Sequence, residues 1–186
     1  ERKAPHNSYI SAEHVVEGAE KVGASLLYNK KVSYSFYDEQ ESVKIGVATN
    51  EVDVTYGNNA QFNSRYVYDA ETNRYARFSA GVETVDYVSG EPLALANVLF
   101  FEMPHRIIDN VGRRDIDIST GGKAYLFQAG MMREVQWKNE DGFLAVIEED
   151  GTDALLVPGQ TWVHFVPTSP GLAQSVTYLQ QEGNGD

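Results

Sequence analysis

With 186 residues, 42% of them hydrophobic and 23% charged, the chain is long enough to bury a core and has the composition of a folded domain. Fifteen Lys+Arg against 27 Asp+Glu give a formal charge of −12, which repels phosphate backbones and anionic bilayer surfaces, so nucleic acid is not an expected partner. The absence of cysteine excludes disulfides, thiolate metal ligands and a cysteine nucleophile.

In chain order, Ala4-Pro5-His6-Asn7-Ser8-Tyr9 reads as a loop, and Ser11 as the N-cap of a helix over Ala12–Val22. Ile10 and Val15 are placed as a hydrophobic staple. Ala12, Val15, Val16, Ala19 and Val22 recur at helical spacing, and Gly23 is a stop, so this helix is expected to lay an apolar stripe over a sheet face. The period then changes to two. Val43, Ile45 and Val47, and after them Val52, Val54 and Tyr56, alternate with polar or small residues and predict strands. Arg65–Asp69 and Arg74–Phe78 flank a four-residue loop and predict a hairpin. Asn97–Met103 reads as a strand buried on both faces, and Pro104–Arg114 as a polar loop. The longest nearly apolar run, Leu93–Phe101, falls far short of the roughly 20 residues of a membrane helix. No basic-then-apolar leader opens the chain, so neither a span nor an export signal is expected within it. Lys123–Gln128 with Met132–Trp137, and Ala154–Val157 with Thr161–Val166, predict two more hairpins. Residues 169–186 read as a polar tail, disordered over the last five. Closely spaced strands with Gly and Pro punctuation indicate an α+β fold dominated by antiparallel sheet. The expected division is one compact unit over 1–168, with junction loop and helix in 1–30 and a β-rich body in 31–168.

Tyr68-Asp69 followed by Tyr75-x-Arg77, then Asp86, Ala96-Asn97-Val98, Asp109 and Gly112-Arg113-Arg114 form an ordered set. Gly121-Gly122-Lys123-Ala124, Trp137 and Pro158-Gly159-Gln160-Thr161-Trp162 continue it. This series, together with Ala4-Pro5-His6-Asn7 and Tyr9 upstream, resembles the YerB-like bacterial lipoproteins, a family of unknown activity, over roughly Ala4 to Pro167. The resemblance implies a layered β-β-α sandwich and attachment to the outside of the membrane through a lipidated cysteine near the full-length N-terminus. It also implies that the family's N-terminal half and that cysteine lie outside this chain.

Candidate chemistry is sparse. His105 and Asp109, beside Arg106, Arg113 and Arg114, have the composition of an acid–base pair or an anion clamp, and equally of an ion pair that fastens a loop. With Asp86 they supply the catalytic candidates Asp86, His105, Asp109 and Arg113. Asp69, Asp86 and Asp109 offer hard-cation oxygens without a calcium-loop spacing, and as turn caps they need no ion, so no metal or other cofactor is expected. Tyr66, Tyr68, Tyr75, Tyr87, Trp137 and Trp162 suit a stacking platform or sheet packing, and Arg77, on the face of Tyr75, suits either an aspartate partner across the sheet or recognition of an anion. His6, His14 and His164 read as locally hydrogen-bonded side chains. Gly-x-Ser-x-Gly, the phosphate-binding Gly-rich loop and His-Glu-x-x-His are all missing. The expectation is a non-catalytic extracytoplasmic module that binds a protein partner or a cell-wall component. The alternative is an envelope hydrolase or transferase sharing its site with the missing half.

Overall fold

The computed structural model describes residues 10–27, 33–38, 43 and 45–180. It divides into two units, Glu1–Lys31 and Val32–Asp186. The His6-Asn7 junction and the last six residues lie outside the described set.

In the first unit, helix α1 spans Ala12–Val22, as its sequence predicts. Ser11 caps it by accepting from the His14 amide at 3.2 Å, and Gly23 ends it in the left-handed region. The apolar stripe is present but none of its residues is buried, and Val15, Val16 and Val22 stay 42, 44 and 79% exposed. Its side chains are only valine and alanine, so the stripe is narrow and holds little area to bury.

The second unit is built from β1 (Val47–Val54), β2 (Ser64–Asp69), β3 (Arg74–Ser79), β4 (Val82–Glu83), β5 (Ala94–Leu95), β6 (Asn97–Met103), β7 (His105–Ile107), β8 (Arg114–Ile116), β9 (Gly122–Gln128), β10 (Met131–Glu140), β11 (Phe143–Ile147), β12 (Thr161–Pro167), the one-turn α2 (Leu172–Ser175) and β13 (Val176–Gln180). Strand order β12-β6-β9-β10-β1-β2-β3-β4 runs through the main sheet, with β11 beside β10, β13 beside β1 and β5 beside β3. Every pairing in it is antiparallel except β12 with β6. The fold is therefore α+β, rich in antiparallel strand. Strand β1 serves both halves of the sheet. Val47 and Ala48 pair with β10, and the rest of the strand pairs with β13, through a register shift between Thr49 and Val52, and with β2. This lets the β1–β2–β3 half fold back over the β6–β9–β10 half, with Val52, Tyr66 and Tyr75 of one packing in the same core as Val98, Phe100 and Phe127 of the other. The far face of β6–β9–β10 carries a second core of Leu99, Phe101, Leu126, Trp137 and Leu156. Strand β6 lies between the two and is buried on both faces, as its unbroken apolar run predicts.

Several expectations are corrected. Val43–Val47 is not a strand of its own. Gly46 adopts φ 125° and its backbone lies against Met132, so pairing starts only at Val47. Pro104–Arg114 is not all loop, because β7 and β8 pair within and beyond it. The third hairpin does not form. Thr161–Pro167 pairs in parallel with β6, while the amide of Val157 donates to Asn97 Oδ1 and Gln128 Oε1 at 3.0 and 3.1 Å. Buried side-chain amides thus take the hydrogen bonds that a strand partner would have taken. Gly159 sits where a Cβ would come within 2.8 Å of Ala96, at φ 141°, so the Pro-Gly-Gln turn needs a glycine there. In place of that hairpin the chain makes another at Asp141-Gly142, both residues at positive φ, which joins β10 to β11. The segment from Ser169 is not a tail as far as Gln180: Leu172, Ser175 and Val176 are buried and β13 pairs with β1.

Candidate functional site

Between the inward face of β2–β3, the strand β12 and the β7–β8 hairpin lies a cavity of about 760 Å³. Alternation builds its walls. Along β12, Trp162, His164 and Val166 share the side that meets the first core. Along β2, Ser64 and Tyr66 face the same way, and the register sets Tyr66 opposite Arg77 of β3. Tyr56, just past β1, and Arg114 of β8 also line it, with Asn58, Asn59, Phe62 and His105 among others.

Arg77 is held on three sides. Its Nε donates to Tyr66 Oη at 3.3 Å, one terminal nitrogen donates to Thr84 Oγ1 at 2.8 Å and the other to Ser64 Oγ at 2.9 Å. The guanidinium lies over the Trp162 ring, 4.3 Å from the centroid, a cation–π arrangement. The expected aspartate partner is not there. Among the described residues no carboxylate pairs with Arg77, because Asp69 and Asp86 are taken up by their own turns.

Behind Arg77 runs a buried polar chain. His164 is 7% exposed, stacks on Phe100 with ring centroids 4.9 Å apart, and has Tyr66 Oη 2.5 Å from Nε2 and Tyr56 Oη 2.8 Å from Nδ1. Burial, with Arg77 nearby, pushes the pKa of the imidazole down to about 3, so it is neutral at physiological pH. A neutral ring donates from one nitrogen and accepts at the other. Tyr66 Oη accepts from Arg77, and whether it donates to His164 Nε2 or also accepts from it is set by the imidazole tautomer. The Tyr56 hydroxyl takes the complementary role at Nδ1 and lines the cavity. Burial raises the pKa of both tyrosines, most strongly through desolvation, so both stay protonated.

The structure scatters the residues singled out by sequence. Of the catalytic candidates, only His105 lines this cavity. Its Nε2 is buried without a hydrogen-bond partner among the described residues, and desolvation followed by the charge of Arg114 lowers its pKa. Asp109 accepts from the amides of Val111 and Arg113 at 2.9 and 3.1 Å and pairs with the Arg113 side chain, so these two close the β7–β8 turn. Asp86 Oδ1 accepts from the Val88 and Ser89 amides at 2.9 and 2.8 Å, and Asp69 likewise holds Glu71 and Thr72. These hydrogen bonds hold all three carboxyl groups below the usual aspartate range. Each aspartate caps its own turn, and among the described residues no three His, Cys, Asp or Glu gather as a metal site.

The tyrosines do not make an exposed platform. Tyr66 and Tyr75 are core residues, the Tyr75 hydroxyl accepting from the Gly130 amide at 3.1 Å, and the half-buried Tyr68 donates to Asn73 at 2.8 Å. Arg77 alone of that group reaches the cavity. Sequence reasoning missed Tyr56, Ser64 and His164 as members of one site, and named Trp162 only among the aromatics of a platform. The available signal was Trp162-x-His164-x-Val166, a histidine at an inward position of a buried strand, which requires polar partners.

Residues 52–163 match the family described as "Protein of unknown function (DUF3048) C-terminal domain". The chain is 39% identical over 166 residues to the "Putative lipoprotein YerB" of Bacillus subtilis, covering 89% of this chain and 49% of that protein. It superimposes on the crystal structure of the YerB protein from Bacillus subtilis with a TM-score of 0.75 at 35% identity, over 96% of this chain and 57% of that one. The chain thus spans about half the length of the curated relative it matches.

Proposed function

The chain belongs to the family of the DUF3048 C-terminal domain, and from that membership we propose that it is the extracytoplasmic part of a lipid-anchored cell-envelope protein, binding a protein partner or a cell-wall component. The relative's printed description as a lipoprotein supports the location, with attachment through an anchor outside this chain. The cavity over Arg77 and Trp162 is the binding site in this reading.

The observation that carries it is the state of the polar groups in that cavity. Both His164 nitrogens are engaged by tyrosine hydroxyls and the ring is neutral, so it is not poised to take a proton from a substrate. Arg77 and Trp162 are fixed against each other before any ligand arrives, which lowers the ordering cost of binding. A hydrolase or transferase built on Asp86, His105, Asp109 and Arg113 draws on His105 alone at this cavity, since Asp109 and Arg113 already bind each other.

Co-sedimentation of the full-length protein with purified cell-wall sacculi and with envelope membranes tests the reading. Retention that falls at least ~fivefold in Trp162→Ala, as expected of a central aromatic anchor, supports it. Equal retention of the variant sinks it.

A further inference from the structure

We propose that this cavity is an anion site, taking a compact polar ligand by a carboxylate or phosphate group that faces Arg77 and Arg114 and accepts from the Tyr56 hydroxyl. The proposal deepens the binding reading and rests on it.

The first ground is an inventory of Arg77. A guanidinium carries five N–H donors and a permanent charge. Three donors go to Tyr66, Thr84 and Ser64, all neutral oxygens, so two remain, and apart from the Trp162 ring nothing among the described residues offsets the charge. The side chain is half-buried, where an unpaired charge is costly and is normally matched by a carboxylate. Carboxylates are plentiful in this chain, 27 Asp+Glu in all, yet none of those among the described residues lines the cavity. The partner that the charge requires therefore comes from outside.

The second ground is convergence. Arg114 opens on the same cavity, and among the described residues it is in no ion pair, whereas its neighbours Arg106 and Arg113 are bound to Asp115 and Asp109. The arginines of this hairpin are thus neutralised except the one that shares the cavity with Arg77. The third ground is the Tyr56 hydroxyl, which lines the same cavity and, in the tautomer with the His164 proton on Nδ1, has its O–H free for an anionic oxygen. Two arginines and a hydroxyl on one cavity offer an oxyanion complementary charge and a donor, and a neutral ligand would leave both charges unmatched. Planar carboxylate and tetrahedral phosphate both fit a guanidinium fork, and the measurement separates them.

Calorimetric titrations of the chain at constant ionic strength, with glucuronate, glycerol 3-phosphate and neutral glucose, test the proposal. Saturable binding of either anion but not of glucose is expected, weakened ~tenfold or more by Arg77→Lys, which keeps the charge but loses the fork, and by Arg114→Ala. Arg65→Ala, which removes an ion pair with Glu51 elsewhere on the sheet, should leave it unchanged. Arg114 is exposed on a hairpin, so that variant reports even if Arg77→Lys fails to fold. The better of the two anions identifies the group. Glucose bound as well as the anions, or anion binding that survives Arg114→Ala, overturns the anion claim and leaves the cavity as a binding site. No binding of any probe also overturns it, and retention on sacculi then decides the wider reading separately.

Discussion

The two faces of the β6–β9–β10 sheet are both buried, but they are built differently. One face is filled by Leu99, Phe101, Met103, Leu126 and Trp137, and the single indole N–H among them donates to the Glu102 carbonyl at 2.9 Å. The other face has an apolar centre of Val98, Phe100 and Phe127, but at its β12 edge the packing gives way to His164, Tyr66, Tyr56 and Arg77. The first face needs only volume and shape. The second must also satisfy every donor and acceptor it buries, and its chain of hydrogen bonds ends at an open cavity. In the proposed reading the cation without a carboxylate partner on the second face serves binding, a task the first face does not share.

That contrast can be broken or sharpened by measurement. The largest effect belongs to the dry face: Trp137→Ala should cost about 4 kcal/mol in urea unfolding, because it removes a large, fully packed ring. A loss below ~1 kcal/mol would mean that this face is not close-packed. The polar face should instead reveal itself through pH. His164 titrates near its ordinary value of 6.5 when unfolded and at about 3 when folded, so the unfolded state binds the proton first. Stability from this group is full above pH 6.5 and falls as the pH drops towards 3, by about 2 kcal/mol between pH 6.5 and 5. The depressed pKa of His105 acts with the same sign, and the turn aspartates, with lowered pKa values, lose their contribution only below the ordinary aspartate range. His164→Phe should flatten most of the slope between pH 6.5 and 5, and an unchanged slope would remove His164 as its source. Tyr66→Phe should cost about 1–2 kcal/mol, since it leaves His164 Nε2 and Arg77 Nε without their partner. The smallest effect is expected at Asp109→Ala, on the exposed hairpin, with no resolvable shift in the urea midpoint. A clear loss there would give the β7–β8 turn a structural weight that its exposure does not suggest.

Much of the fold was legible because it is local. The Ser11 cap and the Gly23 stop delimit α1, the four residues Ala70–Asn73 close the β2–β3 hairpin, and the apolar run of β6 announced its double burial. What failed to read was long-range. Ala154–Val157 has strand composition, but its backbone is divided among Val146, Ser35 and Tyr37 and the side chains of Asn97 and Gln128, none of which lies in Thr161–Val166. Residues 172–180 look like a polar tail until β1 presents an edge for β13. The site was hidden for the same reason. Arg77 was identifiable as a candidate, but Tyr56, Ser64, Trp162 and His164 come from three separate segments and carry no common motif.

Sequence alone determined the class of fold, the helix and its caps, the two hairpins with tight or short loops, and the family resemblance, because propensity, turn chemistry and two-residue alternation act over a few neighbours. Tertiary structure alone decided which inward-facing polar groups meet. A register pairing sets Tyr66 against Arg77, and the parallel placement of β12 on β6 brings His164 to both tyrosines. Hydrogen bonds and charge pairing depend on distances of a few ångströms between segments remote in the chain, and only the folded backbone fixes those distances.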